Sequence, residues 1–491
     1  MRTMRVGGLG LALLLVLASR GLAAERDLRL INAVRNGETA AVRALLDGSA
    51  GGRPVDVNGV DGSGATALHW AAYRDDQESV DLLLKKGAAV NRANDLGVTP
   101  LRLAATNSST PMITRLLAAG ADPNIAPEVD GTPLMIAAHR GNVEAVTMLL
   151  KNGAKVDATE AEQGQTAIMW AVAEKHPDVV RALLEGGADF KARSQTWRRY
   201  VLWCCQDYEG DPEGGVYAIQ GGFTPLQLAA RIGDIASAKL LLAAGADIND
   251  KTAVGMSVLV TAAFSGQREF AVFALDQGAN PSGDDAGYSA LHSAVLRRDI
   301  ELAKVLVQRG ANVNARQRAG SPSRRYNTFA FDKFMVGATP YVLATRSAQL
   351  DMMTLLVASG ADVNAALDDG TSPVMTAAQR IRGIRVSEKQ SLSAIELALQ
   401  QGSKIDTSDR EGDTALHIAA ARRQDTVIEF LVGKGADVNA KNKAGETPLA
   451  TVLKPLPPPK GAGIPVFDEY SHLVTHTETT AELLRKLGAK D

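Results

Sequence analysis

Three histidines are the residues of this chain whose type and placement most directly invite chemistry. His69, His292 and His417 each stand three positions after a hydroxyl residue, Thr66, Ser289 and Thr414. An imidazole can serve as a general base or a metal ligand, but either role needs partners within hydrogen-bond reach. These three are far apart along the chain. No His-Glu-x-x-His pair, Gly-x-Ser-x-Gly elbow or Gly-Lys-[Ser/Thr] phosphate loop accompanies them. Cys204 and Cys205 are adjacent and are the only cysteines. A strained vicinal disulfide, pairing between chains and two free thiols all stay open. The count excludes a disulfide framework and a cysteine-based zinc site of ordinary spacing. No cofactor, metal or catalytic residue is expected, and the chain reads as a non-enzyme.

Aromatic residues interleaved with arginine are the second set, and they point to recognition. One stretch, 193–221, holds Trp197, Arg198, Arg199, Tyr200, Trp203, Tyr208 and Tyr217. The other, 316–336, holds Arg324, Arg325, Tyr326, Phe329, Phe331 and Phe334. Together they carry nine of the chain's 22 aromatic residues, and this mixture is the composition of interaction hot spots. The candidate partner-binding residues are Trp197, Arg198, Tyr200, Trp203, Arg325, Tyr326, Phe329, Phe331 and Phe334. The competing reading has the rings folded back against the scaffold. Nucleic acid could stack on the same rings, but 53 basic residues nearly cancel 55 acidic ones, leaving no bulk field to attract it.

What positions these residues is a repeat. A Gly-x-[Thr/Ser] turn recurs with its hydroxyl at Thr66, Thr99, Thr132, Thr166, Thr224, Ser257, Ser289, Thr339, Ser372, Thr414 and Thr447. At Thr132 the glycine stands directly before the hydroxyl residue. The intervals are 33, 33, 34, 58, 33, 32, 50, 33, 42 and 33 residues. Gly-Ala or Gly-Ser pairs at Gly87, Gly120, Gly153, Gly187, Gly245, Gly278, Gly310, Gly360, Gly402, Gly435 and Gly488 keep the same register. A fixed period of this length implies a solenoid in which each unit buries its apolar face only against its neighbours.

One unit shows the physics. Thr66 is placed to cap a short helix carrying Leu68, Ala71 and Ala72, whose small alanines allow close approach of the next copy. Asp75 and Asp76 break it, Val80, Leu82, Leu83 and Leu84 build a second helix, and Gly87 ends that one. Trp70 and Trp170, just after the histidine position, are expected on the inner helices facing the groove, as weaker candidates for partner contact.

The signatures Thr66-Ala67-Leu68-His69, Thr99-Pro100-Leu101, Thr132-Pro133-Leu134, Thr224-Pro225-Leu226 and Thr447-Pro448-Leu449 resemble the ankyrin repeat. Ala290-Leu291-His292, Ala415-Leu416-His417 and the Gly-Ala-Asp-Val-Asn runs at Gly360 and Gly435 extend the likeness over nearly all of the chain after residue 26. The resemblance implies an all-α ankyrin-type helical solenoid of about twelve repeats, with short β-turn or hairpin fingers and two long finger inserts. It also implies that each histidine hydrogen-bonds between neighbouring turns, and that the concave groove and fingers bind another protein. The first unit, with Arg29, Arg35 and Arg43, and the split last unit are expected to cap the ends. Two further insertions fall between helices: a basic one around 380–387, and a proline-rich one, 454–478, expected to be extended.

Residues 1–24 read as a signal peptide rather than fold. Arg2 and Arg5 precede an apolar run, 9–18, too short to span a bilayer, and Gly21-Leu22-Ala23-Ala24 supplies small residues for cleavage. No cysteine follows to carry a lipid. The expectation is therefore an exported ankyrin protein of bacterial type, periplasmic or secreted and monomeric. Residues 25–491 would form the solenoid, with no membrane span after cleavage and no nucleic-acid partner. A secreted effector acting on a host or competitor cell is the alternative. An enzyme built from the two long inserts ranks below both.

Overall fold

The structure, a computed structural model, describes residues 27–127, 131–202, 215–318, 321–323, 330–332, 335–379, 386–454 and 467–490. It contains 24 helices and four strands among them, in two compact units. The first unit runs to Trp197 and resumes over Gly221–Ala253; the second comprises Arg198–Gln220 and Val254–Asp491.

Helices of the first unit come in consecutive pairs: α1 (Arg29–Asn36) and α2 (Thr39–Asp47), α3 (Ala67–Tyr73) and α4 (Gln77–Lys85), α5 (Pro100–Thr106) and α6 (Thr110–Ala118). Then follow α7 (Pro133–His139) and α8 (Val143–Lys151), α9 (Ala167–Ala173) and α10 (Pro177–Glu185), α11 (Pro225–Ile232) and α12 (Ile235–Ala243). The two helices of each pair pack together, odd-numbered helices stack on one another as one layer, and even-numbered helices stack as a second. Leu68, Ala71, Ala72, Val80 and Leu83 are fully buried between the layers, so the apolar positions read from the sequence form the core.

The second unit repeats the plan. Its pairs are α13 (Val258–Ser265) and α14 (Arg268–Asp276), α15 (Ala290–Leu296) and α16 (Ile300–Gln308), α17 (Pro340–Arg346) and α18 (Leu350–Ala358). The rest are α19 (Pro373–Ala378) and α20 (Glu388–Gln400), α21 (Ala415–Ala421) and α22 (Asp425–Gly433), α23 (Pro448–Leu453) and α24 (Phe467–Lys486).

Short helices cannot sustain themselves in water, so their ends matter. Thr99, Thr132, Thr224, Ser257, Thr339, Ser372 and Thr447 each accept a hydrogen bond from the backbone N–H three residues on. Thr166 departs from the pattern: its hydroxyl is buried, makes no cap bond and has no partner among the described residues. The turn between the two helices of a pair needs one left-handed residue. Gly37, Gly141, Gly233 and Gly266 meet that need without strain, whereas Asp75, Ser108, Lys175, Arg298, Ala348 and Arg423 adopt the same conformation with a side chain.

Asparagines tie successive pairs together. Asn58, Asn91 and Asn124 each donate from Nδ2 to the carbonyl of the next pair's terminal glycine, Gly87, Gly120 and Gly153, at 3.0 to 3.3 Å. Each also accepts at Oδ1 from the backbone N–H two residues beyond, on Ala89, Asp122 and Lys155. Asn314, Asn364 and Asn439 make the same pair of hydrogen bonds to Gly360 and Asp362, Gly402 and Lys404, and Gly488 and Lys490.

Both long inserts contain paired strands. β1 (Thr196–Leu202) pairs with β2 (Gly215–Gly221), and β3 (Ser321–Ser323) pairs antiparallel with β4 (Ala330–Asp332), Pro322 standing opposite Phe331. The basic insertion 380–387 lies mostly outside the described residues, and its unit resumes in the long helix α20. Of the proline-rich insert, residues 455–466, with all of its prolines, lie outside the described residues. From Phe467 the chain is helical in α24, so only the proline-free end, 467–478, departs from the extended course expected for the insert.

Candidate protein-interaction surface

The three histidines are structural. The His69 Nδ1 accepts from the Thr66 backbone N–H at 3.1 Å and lies 2.8 Å from its hydroxyl, while Nε2 faces the Val98 carbonyl at 3.0 Å. His292 makes the same set with Ser289 and the Ala338 carbonyl, and His417 with Thr414 and the Glu446 carbonyl. A carbonyl can only accept, so each ring carries its proton on Nε2. Burial lowers the His69 pKa and pushes that of His292 down to about 4. With both ring nitrogens engaged, none of the three offers a site for metal or proton transfer. Among the described residues no group of three His, Cys, Asp or Glu side chains is placed to hold a metal.

What the first unit does offer is a line of half-exposed side chains on its odd-numbered helices. Trp70 leads it. Its indole N–H donates to the Asp61 carboxylate at 2.9 Å, the Arg35 guanidinium lies 4.5 Å over the ring, and Tyr73 meets it edge-on at 6.0 Å. Burial works to raise the Asp61 pKa, but hydrogen bonds from Ser63, Ala65 and the indole outweigh it and hold the carboxyl below its usual range. Leu103 and Ile136 occupy the equivalent, half-buried positions on α5 and α7. On α9, Trp170 takes that place and packs edge-on against His139 at 5.7 Å, with Glu174 3.5 Å from the His139 Nδ1. The Trp170 indole nitrogen is buried without a partner among the described residues.

Tyr73 is 54% exposed and Leu96, in the next finger loop, 69%. Neither was singled out in the sequence. Tyr73 stands three residues after Trp70, and that helical spacing places both on one face. Leu96 carried no comparable signal.

Of the insert candidates, Trp197 is 40% exposed at the start of β1 and Arg198 is exposed beside it. Tyr200 and Phe331 lie on β1 and β4, but their side chains are outside the described residues. Trp203, Arg325, Tyr326, Phe329 and Phe334 also lie outside them, as do Cys204, Cys205 and residues 1–24. No helix among the described residues is long and apolar enough to cross a membrane.

The family model for ankyrin repeats in three copies matches residues 30–127, 101–194, 226–317 and 383–452. The "Ankyrin repeat and SOCS box protein 6" of Homo sapiens is 30% identical over 163 residues, 33% of this chain and 32% of that protein. The "Nuclear factor NF-kappa-B p105 subunit" of Gallus gallus is 30% identical over 167 residues, 34% of this chain and 15% of its own. The chain thus spans about a third or less of the length of these relatives. The crystal structure of the human ASB11 ankyrin repeat domain aligns over 58% of this chain and 98% of its own, at 23% identity and a TM-score of 0.38. Ankyrin-repeat proteins generally act as non-enzymatic scaffolds that bind other proteins. With the matched segments covering more than half of its length, and with capped helix pairs, bridging histidines and an asparagine ladder at that period, the chain belongs to the ankyrin-repeat family.

Proposed function

We propose that the chain works outside the cytoplasm as a non-enzymatic scaffold, binding one protein partner through the odd-helix face of the first unit and the adjoining finger loops. The observation that carries this reading is the Trp70 site: a large ring oriented by Asp61, covered by Arg35 and extended by the exposed Tyr73. Rings fixed in this way lose little entropy on binding, and Trp, Tyr and Arg are the residues that dominate interface energetics. Trp197 and Arg198 add an exposed pair at the insert. Residues 2–24, with their charge, apolar run and small-residue order, support export and cleavage near Ala24.

Two experiments test the reading. Intact-mass analysis of the protein from its native host should give a chain beginning at Ala24 or Glu25; an uncleaved cytoplasmic species rejects the export half. A pull-down with the mature chain should recover a partner that is lost or weakened with Trp70→Ala or Trp197→Ala, each by about 1–3 kcal/mol. Unchanged affinity with a lowered melting temperature would instead make these rings structural.

A further inference from the structure

The asparagine ladder of the first unit has one rung that is half made and one of which, among the described residues, neither bond is made. After Asn58, Asn91 and Asn124, the next rung is Asp157, whose carboxylate accepts from the Asp189 N–H at 2.8 Å but has no proton to give Gly187. The rung after that falls on Lys191. An ammonium cannot accept from an N–H, and this one is turned back over the Phe190 ring at 5.5 Å. Across from it, the Gly245 carbonyl and the Asp247 N–H, the pair that an asparagine engages elsewhere, have no hydrogen-bond partner among the described residues.

At this rung the surface forms a cleft of about 250 Å³. Gly245, Ala246 and Asp247 line one side, and Phe190 and Lys191 another. Its remaining wall includes Arg193 and Asp250, which form an ion pair; Arg193 also donates to the Gly222 and Lys251 carbonyls, and Thr224 donates to Asp250 at 3.1 Å. The charged groups of the wall are thus largely bound to one another. Beside the Lys191 ammonium and the Asp247 carboxylate, the backbone groups left open there among the described residues are the Gly245 carbonyl and the Asp247 N–H, two residues apart in sequence like the pair each asparagine engages.

We infer that this cleft is a binding site for a carboxamide, specifically the side chain of an asparagine presented by a partner protein. The amide nitrogen would donate to the Gly245 carbonyl and the amide oxygen would accept from the Asp247 N–H, reproducing the bonds of Asn91 to Gly120 and Asp122. The site discriminates by chemistry. An aspartate would set a carboxylate oxygen against the Gly245 carbonyl, two acceptors facing each other, and an aliphatic side chain would leave both groups unpaired. A similar rung, at Asp406 opposite Gly435 and Asp437, is also unmade among the described residues. The inference stands apart from the Trp70 face, because a small amide probes it without any protein partner.

The test follows the backbone amide resonance of Asp247 in the full chain during titration with N-acetyl-asparagine N-methylamide. Parallel titrations use the aspartate and alanine counterparts. The asparagine compound should shift that resonance with at least about tenfold tighter apparent affinity than either counterpart. Lys191→Asn, which supplies the rung from within, should abolish the response and raise the melting temperature. Lys191→Ala, which leaves the rung open, should retain it. Equal responses to the three compounds, no response to any up to their solubility, a response surviving in Lys191→Asn, or one lost in Lys191→Ala would each overturn the inference.

Discussion

At the scale of single residues, the buried histidines are where pH enters. His292 is fully enclosed, neutral and hydrogen-bonded at both ring nitrogens, with its pKa pushed down to about 4 from an unfolded value near 6.5. Between those values the unfolded chain takes up a proton that the folded chain refuses. The stabilisation is therefore complete above pH 6.5 and is lost as the pH falls toward 4, on the order of 3 kcal/mol for this site, with His69 adding in the same direction. Gln227 shows how to isolate the effect. It occupies the histidine position in its own unit, fully buried, and its amide donates to the Asp250 carbonyl at 2.7 Å. A His292→Gln variant should therefore stay folded and lose the His292 share of the slope. Urea denaturation of both proteins between pH 4 and 7 reads it directly, and an unchanged slope would place the acid sensitivity elsewhere.

At the scale of elements, the left-handed turn between paired helices gives a paired experiment. Ala348 holds φ 49° there, at a steric cost of roughly 1–2 kcal/mol that glycine avoids, against a smaller entropic loss. Ala348→Gly should stabilise by about 0.5–1 kcal/mol. Gly141→Ala in the equivalent turn should destabilise by more, since its new Cβ would sit 2.7 Å from the His176 ring. Thermal melts of the two variants should move in opposite directions. Such turns also show what the sequence discloses. The hydroxyl caps, alanine stripes and glycine stops are local signals, so helix order and core residues were legible at a distance of three or four residues, whereas the histidine bridges, which reach carbonyls 29 to 46 residues on, were implied only by the family resemblance. The paired strands of the inserts were legible only in part. Thr196–Leu202 and Gly215–Gly221 are rich in β-branched and aromatic residues, a strand signal outweighed by the helical period on either side. The open rung at Lys191 was not legible at all. Its consequence depends on which carbonyl and N–H face it across more than fifty residues, and only the folded chain brings Gly245 and Asp247 there.

At the scale of the whole molecule, the pattern of contacts decides how the protein fails. Within each unit a helix touches its own partner and the helices of adjacent pairs, and stability is then a sum of local terms and neighbour interfaces. A cavity in one pair should loosen that pair and its neighbours and leave distant ones intact. Leu356 on α18 is fully buried, and Leu356→Ala removes core volume worth about 2–5 kcal/mol. Hydrogen exchange followed by mass spectrometry should show protection falling in α16, α17, α18 and α20, which pack around that site, while α22 and α23 of the same unit keep theirs. A uniform loss over the second unit would mean that it unfolds as one cooperative block, and neighbour coupling would then be stronger than the cost of the cavity. A loss confined to α18 alone would mean that the pairs scarcely couple. The graded pattern lies between these outcomes. It is also the condition under which a scaffold can hold one binding face rigid while another part of the same unit opens.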